Sequence, residues 1–169
     1  MYGNYTNEQR TLIQETVKDQ DVIDLGCGID MGWIPILMKT ARSVIGVDKE
    51  LRYGAVYPDK RVTLHRTHYH NYKGVVPKVA FLSWPPNYEL KGLIDILIQV
   101  DVIIYNGSNR SPVACGFSDL YAYFLLRELI RYEEYNLSEW KNTNLIVLGK
   151  PDGRIRRPVD EEILGMHLW

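Results

Sequence analysis

Two places in the sequence combine residue types and spacing that could handle a small ligand. The first is Asp24-Leu25-Gly26-Cys27-Gly28, which closes a short apolar run, Val22 to Leu25. Glycine at 26 and 28 removes two Cβ atoms, so the backbone can turn sharply and a ligand can approach it closely. Twenty residues after Gly28, a second apolar run, Ser43-Val44-Ile45-Gly46-Val47, ends in Asp48. A carboxylate at the tip of a second strand suits a bidentate grip on ribose hydroxyls. A dinucleotide fingerprint would need a third glycine at position 31, which is Met. Asp24, ahead of the glycines, instead suits a nucleoside cofactor that carries a cationic amine and no pyrophosphate.

The second place is Phe81-Leu82-Ser83-Trp84-Pro85-Pro86-Asn87-Tyr88. Two prolines in a row stop a strand and hold the chain in one shape. They could fix a carbonyl and the Ser83 hydroxyl toward a substrate, with Trp84 or Tyr88 as a stacking surface. Other reactive residues promise less. His65, His68 and His70 have no cysteine or carboxylate beside them, and in a strand His65 would face away from the other two, so no metal site is expected. Cys27 reads as a small filler in the glycine loop. Cys115 has no evident histidine partner. Arg110, in the polar loop 106–112, could meet an anion, while Arg154, Arg156 and Arg157 fit a charged edge strand that resists self-association.

These residues need a scaffold that brings strand ends together. A helix is expected over about 6–18, with Thr6 and Gln9 at capping-box spacing and Leu12, Ile13, Thr16 and Val17 on one face. A second helix should begin near Gly32, because Pro35 is tolerated only in a first turn. Strands are expected at 22–25, 43–48, 62–69, 79–83, 102–105 and 145–149, with a helix near 90–98 and a longer one over about 117–132. Pro151-Asp152-Gly153 is turn chemistry, so 154–159 could return as an antiparallel edge strand. Strands alternating with helices give an α/β layered fold with a mostly parallel sheet. Ligands in such sheets bind beyond the carboxyl ends of the strands, where both motifs fall.

Composition narrows the function classes. The chain has 169 residues and a formal net charge of −1. That length suits one domain with its own core, here read as a cofactor half over about 20–75 and an acceptor half over about 78–160. Near-neutrality gives no general electrostatic footprint for nucleic acid or membrane, although a local patch could still touch nucleic acid. Two cysteines cannot build a disulfide framework. The polar first twenty residues and the lack of ~18 consecutive apolar residues point to the cytoplasm.

Asp24-Leu25-Gly26-Cys27-Gly28 followed by Val44-Ile45-Gly46-Val47-Asp48 resembles the first two motifs of class I S-adenosylmethionine-dependent methyltransferases. The resemblance covers about residues 10–150 and implies a three-layer Rossmann-like α/β fold with S-adenosyl-L-methionine as cofactor. It places Asp24 near the methionine part, Gly26, Cys27 and Gly28 along the cofactor and Asp48 on the ribose, with Tyr69 as a residue that could stack on the base or simply pack. Ser83-Trp84-Pro85-Pro86 is similar to the Asp/Asn/Ser-Pro-Pro-aromatic pattern of amino-group methyltransferases, with an inserted Trp84. It implies Ser83, Trp84 and Pro85 on the acceptor side and an amine on a small or planar substrate, or a nucleobase. Position 30, usually the third glycine, is Asp, and no acidic residue follows the third strand. A methyltransferase-like module that binds cofactor or partner without turnover is the alternative.

Overall fold

The computed structural model describes residues 7–83, 90–108, 134–136 and 143–149. In chain order these form helix α1 (Asn7–Thr16), strand β1 (Asp21–Leu25), helix α2 (Ile34–Leu37), β2 (Ser43–Val47), β3 (Val62–His65), a 3-10 turn (Tyr69–Asn71), β4 (Val79–Ser83), α3 (Leu90–Leu97), β5 (Val102–Ser108), β6 (Glu134–Asn136) and β7 (Thr143–Gly149). The strands make one sheet in the order β3-β2-β1-β4-β5-β7-β6. Strands β3 to β5 in that order are parallel, and β7 runs antiparallel to both β5 and β6.

The apolar runs make this sheet because they are buried on both faces. All of Val22 to Leu25 and Val79 to Leu82 are buried, as a parallel sheet covered by two helical layers requires. Alternate residues feed two cores. On one face Ile23, Leu25, Ala80, Leu82, Ile103 and Tyr105 meet Leu93, Ile96 and Leu97 of α3. On the other, Val22, Val44, Phe81 and Ile104 meet Ile13, Val17, Ile34 and Leu37 from the α1 and α2 side. Each such aliphatic side chain contributes about 1.5–3 kcal/mol on burial. Pro35 falls in the first turn of α2, as its missing N–H demands.

Two expectations need correction. The third strand does not reach Tyr69: pairing with β2 ends at His65, and Tyr69 to Asn71 coil into the 3-10 turn that packs on α3. The fifth strand runs on through Asn106 to Ser108, because Asn106, Gly107 and Ser108 pair with Leu145, Asn144 and Thr143. β7, expected only as a strand over 145–149, runs antiparallel and lies between β5 and β6. The edge strand expected over 154–159 lies outside the described residues, as do Thr6 and the long helix expected over 117–132.

Gly92 shows how closely α3 approaches the 3-10 turn. A Cβ at this position would sit 2.4 Å from the His70 backbone nitrogen. Alanine normally gains up to ~1 kcal/mol over glycine inside a helix, but forced overpacking costs about 1–3 kcal/mol. The clash is with backbone, so its cost falls near the upper end of that range, and Gly92→Ala should lower stability by a net ~2 kcal/mol in urea unfolding; a variant as stable as the parent would contradict this packing.

Candidate active site at the β1 and β4 strand ends

The strand order reverses direction at β1: β2 and β3 lie on one side, β4 and β5 on the other. Crevices open at such switch points beyond the carboxyl ends of the strands. Pairing of Leu25 with Leu82 brings the glycine loop beside the end of β4. Gly26 has φ +87°, and a Cβ there would lie 2.9 Å from the Tyr69 hydroxyl oxygen and 3.4 Å from the Ser83 carbonyl oxygen. Gly28 has φ +71°, yet no described atom lies within 4 Å of where its Cβ would be. The same left-handed turn thus faces packed protein at Gly26 and open space at Gly28. Met31, where a dinucleotide fingerprint would place glycine, also has a positive φ, +49°. A side chain held there stores local backbone strain of about 1–2 kcal/mol.

Asp48 ties the loop to β2. Its Oδ2 accepts the Gly28 N–H at 2.8 Å and its Oδ1 accepts the Glu50 N–H at 2.7 Å. A carboxylate offers about four lone-pair sites, so each oxygen keeps one for a further donor. Asp48 is half-buried beside the open side of Gly28.

Asp24 is a different kind of carboxylate. It is 0% exposed, and neither side-chain oxygen has a hydrogen-bond partner. Burial first, and the Asp48 carboxylate second, push its carboxyl well above the usual carboxylate range. A buried unpaired charge is costly enough that the group neutralises instead. Cys27 turns inward and fills the core near Gly46, its Sγ 3.1 Å from where a Gly46 Cβ would be. Burial, Asp24 and Asp48 together push this thiol far up, so it is not a nucleophile. Tyr69 is 5% exposed and packs in the core on the α3 side, with only its hydroxyl reaching the glycine loop.

At the end of β4, Ser83 Oγ accepts the Trp33 indole N–H at 3.0 Å and the Asn106 side-chain amide N–H at 2.9 Å. A serine hydroxyl has two lone pairs and one proton. Both lone pairs are engaged, so the proton is what Ser83 has to offer a ligand. Trp33 is fixed in turn by Phe81, their ring centroids 4.8 Å apart. From the sequence, Trp33 falls in the second expected helix and Asn106 at the head of a loop. Their shared grip on Ser83 needs the β4–β5 register, which pairs Ser83 with Asn106 and is invisible in a linear pattern.

The structure therefore gathers Asp24, Gly26, Gly28, Asp48 and Ser83 at the adjoining ends of β1, β2 and β4, with Cys27 and Tyr69 packed in the core beside them. Trp84, Pro85, Arg110, Cys115 and the arginines at 154, 156 and 157 lie outside the described residues. Among the described residues no cluster of three His, Cys, Asp or Glu side chains could hold a metal ion. His68 and His70 rings sit 5.3 Å apart, while His65 sets its edge against Tyr72. No described helix is long and apolar enough to cross a membrane.

No protein-family model and no curated protein sequence matches the chain. Solved structures do. The N-methyltransferase NodS from Bradyrhizobium japonicum WM9 superposes with a TM-score of 0.61 at 9% identity, covering 86% of this chain and 96% of that one. A ribosomal protein L11 methylase from Lactobacillus delbrueckii subsp. bulgaricus gives 0.61 at 16% identity, over 89% and 81%. An rRNA methylase from Streptococcus thermophilus gives 0.60 at 11% identity, over 89% and 98%. The chain has the class I methyltransferase fold, Rossmann-like and three-layered. The acceptors named for these neighbours differ, a ribosomal protein in one and rRNA in another, so the shared fold sets no acceptor.

Asp24 makes a testable contribution to stability. The unfolded carboxyl titrates near 3.8 and the native one higher. Above pH 3.8 the native state holds a proton that the unfolded chain has lost. Stability from this group thus falls as pH rises, by up to about 1.4 kcal/mol per unit, until the native carboxyl itself titrates. An Asp24→Asn variant lacks that slope and should gain on the parent steadily from about pH 4.5 upward in denaturant unfolding. A difference that stays flat across this range would contradict a protonated Asp24.

Proposed function

We propose that this chain is an S-adenosyl-L-methionine-dependent methyltransferase. The observation that carries the reading is the Gly28 N–H held 2.8 Å from Asp48 Oδ2, in a positive-φ glycine turn at the sheet's switch point. That contact sets an acidic strand tip beside a loop edge with open space. The residues fit the cofactor in three ways. Asp48 retains lone pairs for two ribose hydroxyls, the Gly28 edge leaves room for the ligand, and Asp24 is a buried carboxylate that lacks a cation. When bound, the cofactor supplies an electrophilic methyl group on a sulfonium. NodS, which shares the fold, has been crystallised with S-adenosyl-L-homocysteine.

In this reading Asp48 holds the ribose, Gly26 and Gly28 admit the amino-acid portion and Asp24 compensates its positive charge. Cys27 and Tyr69 act from below, by keeping the loop in shape. Ser83, with Trp84 and Pro85 next in sequence, is assigned to the acceptor side; the acceptor is an amine on a small or planar substrate, or a nucleobase, and the site works in the cytoplasm. Ser83 serves there as a donor that orients the acceptor, since Trp33 and Asn106 occupy its lone pairs. Methyl transfer is an in-line displacement, so orientation is the main thing such a site can contribute, up to about 7–11 kcal/mol. The open Gly28 edge runs against a module whose crevice is closed by its own side chains.

Isothermal titration with S-adenosyl-L-homocysteine tests the proposal. The parent should bind, and Asp48→Ala, which loses both the ribose grip and the clasp on Gly28, should weaken binding at least about tenfold, the loss expected for a charge-assisted hydrogen bond of 1.5–3 kcal/mol. Absence of binding at millimolar ligand, or equal affinity in the variant, would overturn it.

A further inference from the structure

Two buried side chains outside both sequence motifs converge on one hydroxyl. Trp33, at the N-cap of α2, and Asn106, in β5, both donate to Ser83 Oγ, at 3.0 and 2.9 Å. An indole nitrogen can only donate, and the Asn106 amide turns its NH2 to the same oxygen. Packing of the Trp33 ring on Phe81 and the Ser83–Asn106 register of β4 and β5 hold the two donors in place. Ser83 itself is half-buried, and among the described residues nothing accepts its hydroxyl proton.

A hydroxyl held in this way can donate but not accept. A ligand N–H aimed at Oγ meets filled lone pairs, whereas a ligand lone pair receives the proton. A site that answers one polarity rejects the other, because a polar group is then left unpaired. We propose that Trp33 and Asn106 are specificity-determining positioning residues: by filling the Ser83 oxygen they select a substrate edge that presents a lone pair and reject one that presents N–H. The atom that Ser83 holds is not the reacting nitrogen, since an amine whose lone pair accepts a hydrogen bond cannot attack with it. The substrate class is therefore a planar amine or nucleobase with a carbonyl oxygen or unprotonated ring nitrogen beside the amino group. The inference rests on the acceptor side proposed above and adds the polarity of the substrate edge that docks there.

Benzoxazole and indole, fused rings of the same size, separate the two edges. The first offers a ring-nitrogen lone pair and no N–H; the second offers an N–H and no in-plane lone pair. Each is titrated into the protein saturated with S-adenosyl-L-homocysteine, with the Trp33 indole and Asn106 side-chain N–H signals as local reporters in NMR spectra. Benzoxazole should shift both signals and bind at least about fivefold more tightly than indole, the worth of one hydrogen bond made or refused. Ser83→Ala should bring the two affinities within about twofold of each other, and Ser83→Thr, which keeps the hydroxyl, should retain the preference. Trp33→Phe frees one lone pair on Ser83 and should tighten indole relative to benzoxazole by about threefold or more. Loss of packing alone would weaken both probes alike. The comparison of probes on the unmutated protein does not depend on any variant folding. Equal binding of the two probes, tighter binding of indole, or no shift at either reporter overturns the role of Trp33 and Asn106 and leaves the cofactor site standing. Failure to take up S-adenosyl-L-homocysteine overturns both.

Discussion

A parallel sheet buried on both faces has to leave its irregular backbone at the strand ends, and everything proposed for this chain depends on that constraint. Along β1 and β4 every residue from Val22 to Leu25 except Asp24, and every residue from Val79 to Leu82, is needed by one core or the other. Polar chemistry can enter only where the strands stop. At the switch between them the chain leaves β1 through a left-handed glycine turn and leaves β4 through Ser83, and the Leu25–Leu82 pairing sets the two exits side by side. The described strands bury two polar side chains, Asp24 in β1 and Asn106 in β5, and Asp24 is tolerated because it can shed its charge.

From this arrangement follow two carboxylates with opposite environments. Asp48 receives two backbone N–H groups and keeps capacity for more. Asp24, on the neighbouring strand, receives none. Separate environments suit similar side chains to separate tasks, and those proposed are a polar grip for Asp48 and compensation of a positive charge for Asp24. Ser83 is specialised in a third way, since the donors of Trp33 and Asn106 fix its oxygen and leave its proton for the ligand.

Much of this was legible in the linear sequence. Apolar runs bounded by glycine, proline and acidic residues located β1, β2 and β4, and Leu90, Leu93 and Leu97 marked α3 through helical spacing. The clustering of Asp24, Gly28 and Asp48 followed from strand ends alone. What stayed hidden depends on register and on competition between local and tertiary preferences. The run from Val62 reads as strand up to Tyr69, but the ladder to β2 ends at His65 and Tyr69 gains more by packing under the loop. Reversal of β7 has no signature in Leu145 to Gly149, because an unbroken apolar run reads alike in either direction. Trp33 is buried, and only the fold shows that its N–H also holds Ser83.

The most direct measurement of the central claim is a crystal structure of the protein grown with S-adenosyl-L-homocysteine. The account predicts ribose hydroxyls on the Asp48 carboxylate, the amino-acid portion along Gly26 to Gly28 with its ammonium toward Asp24, and the sulfur facing Ser83. Ligand density elsewhere on the sheet, or a ribose that makes no contact with Asp48, would contradict it.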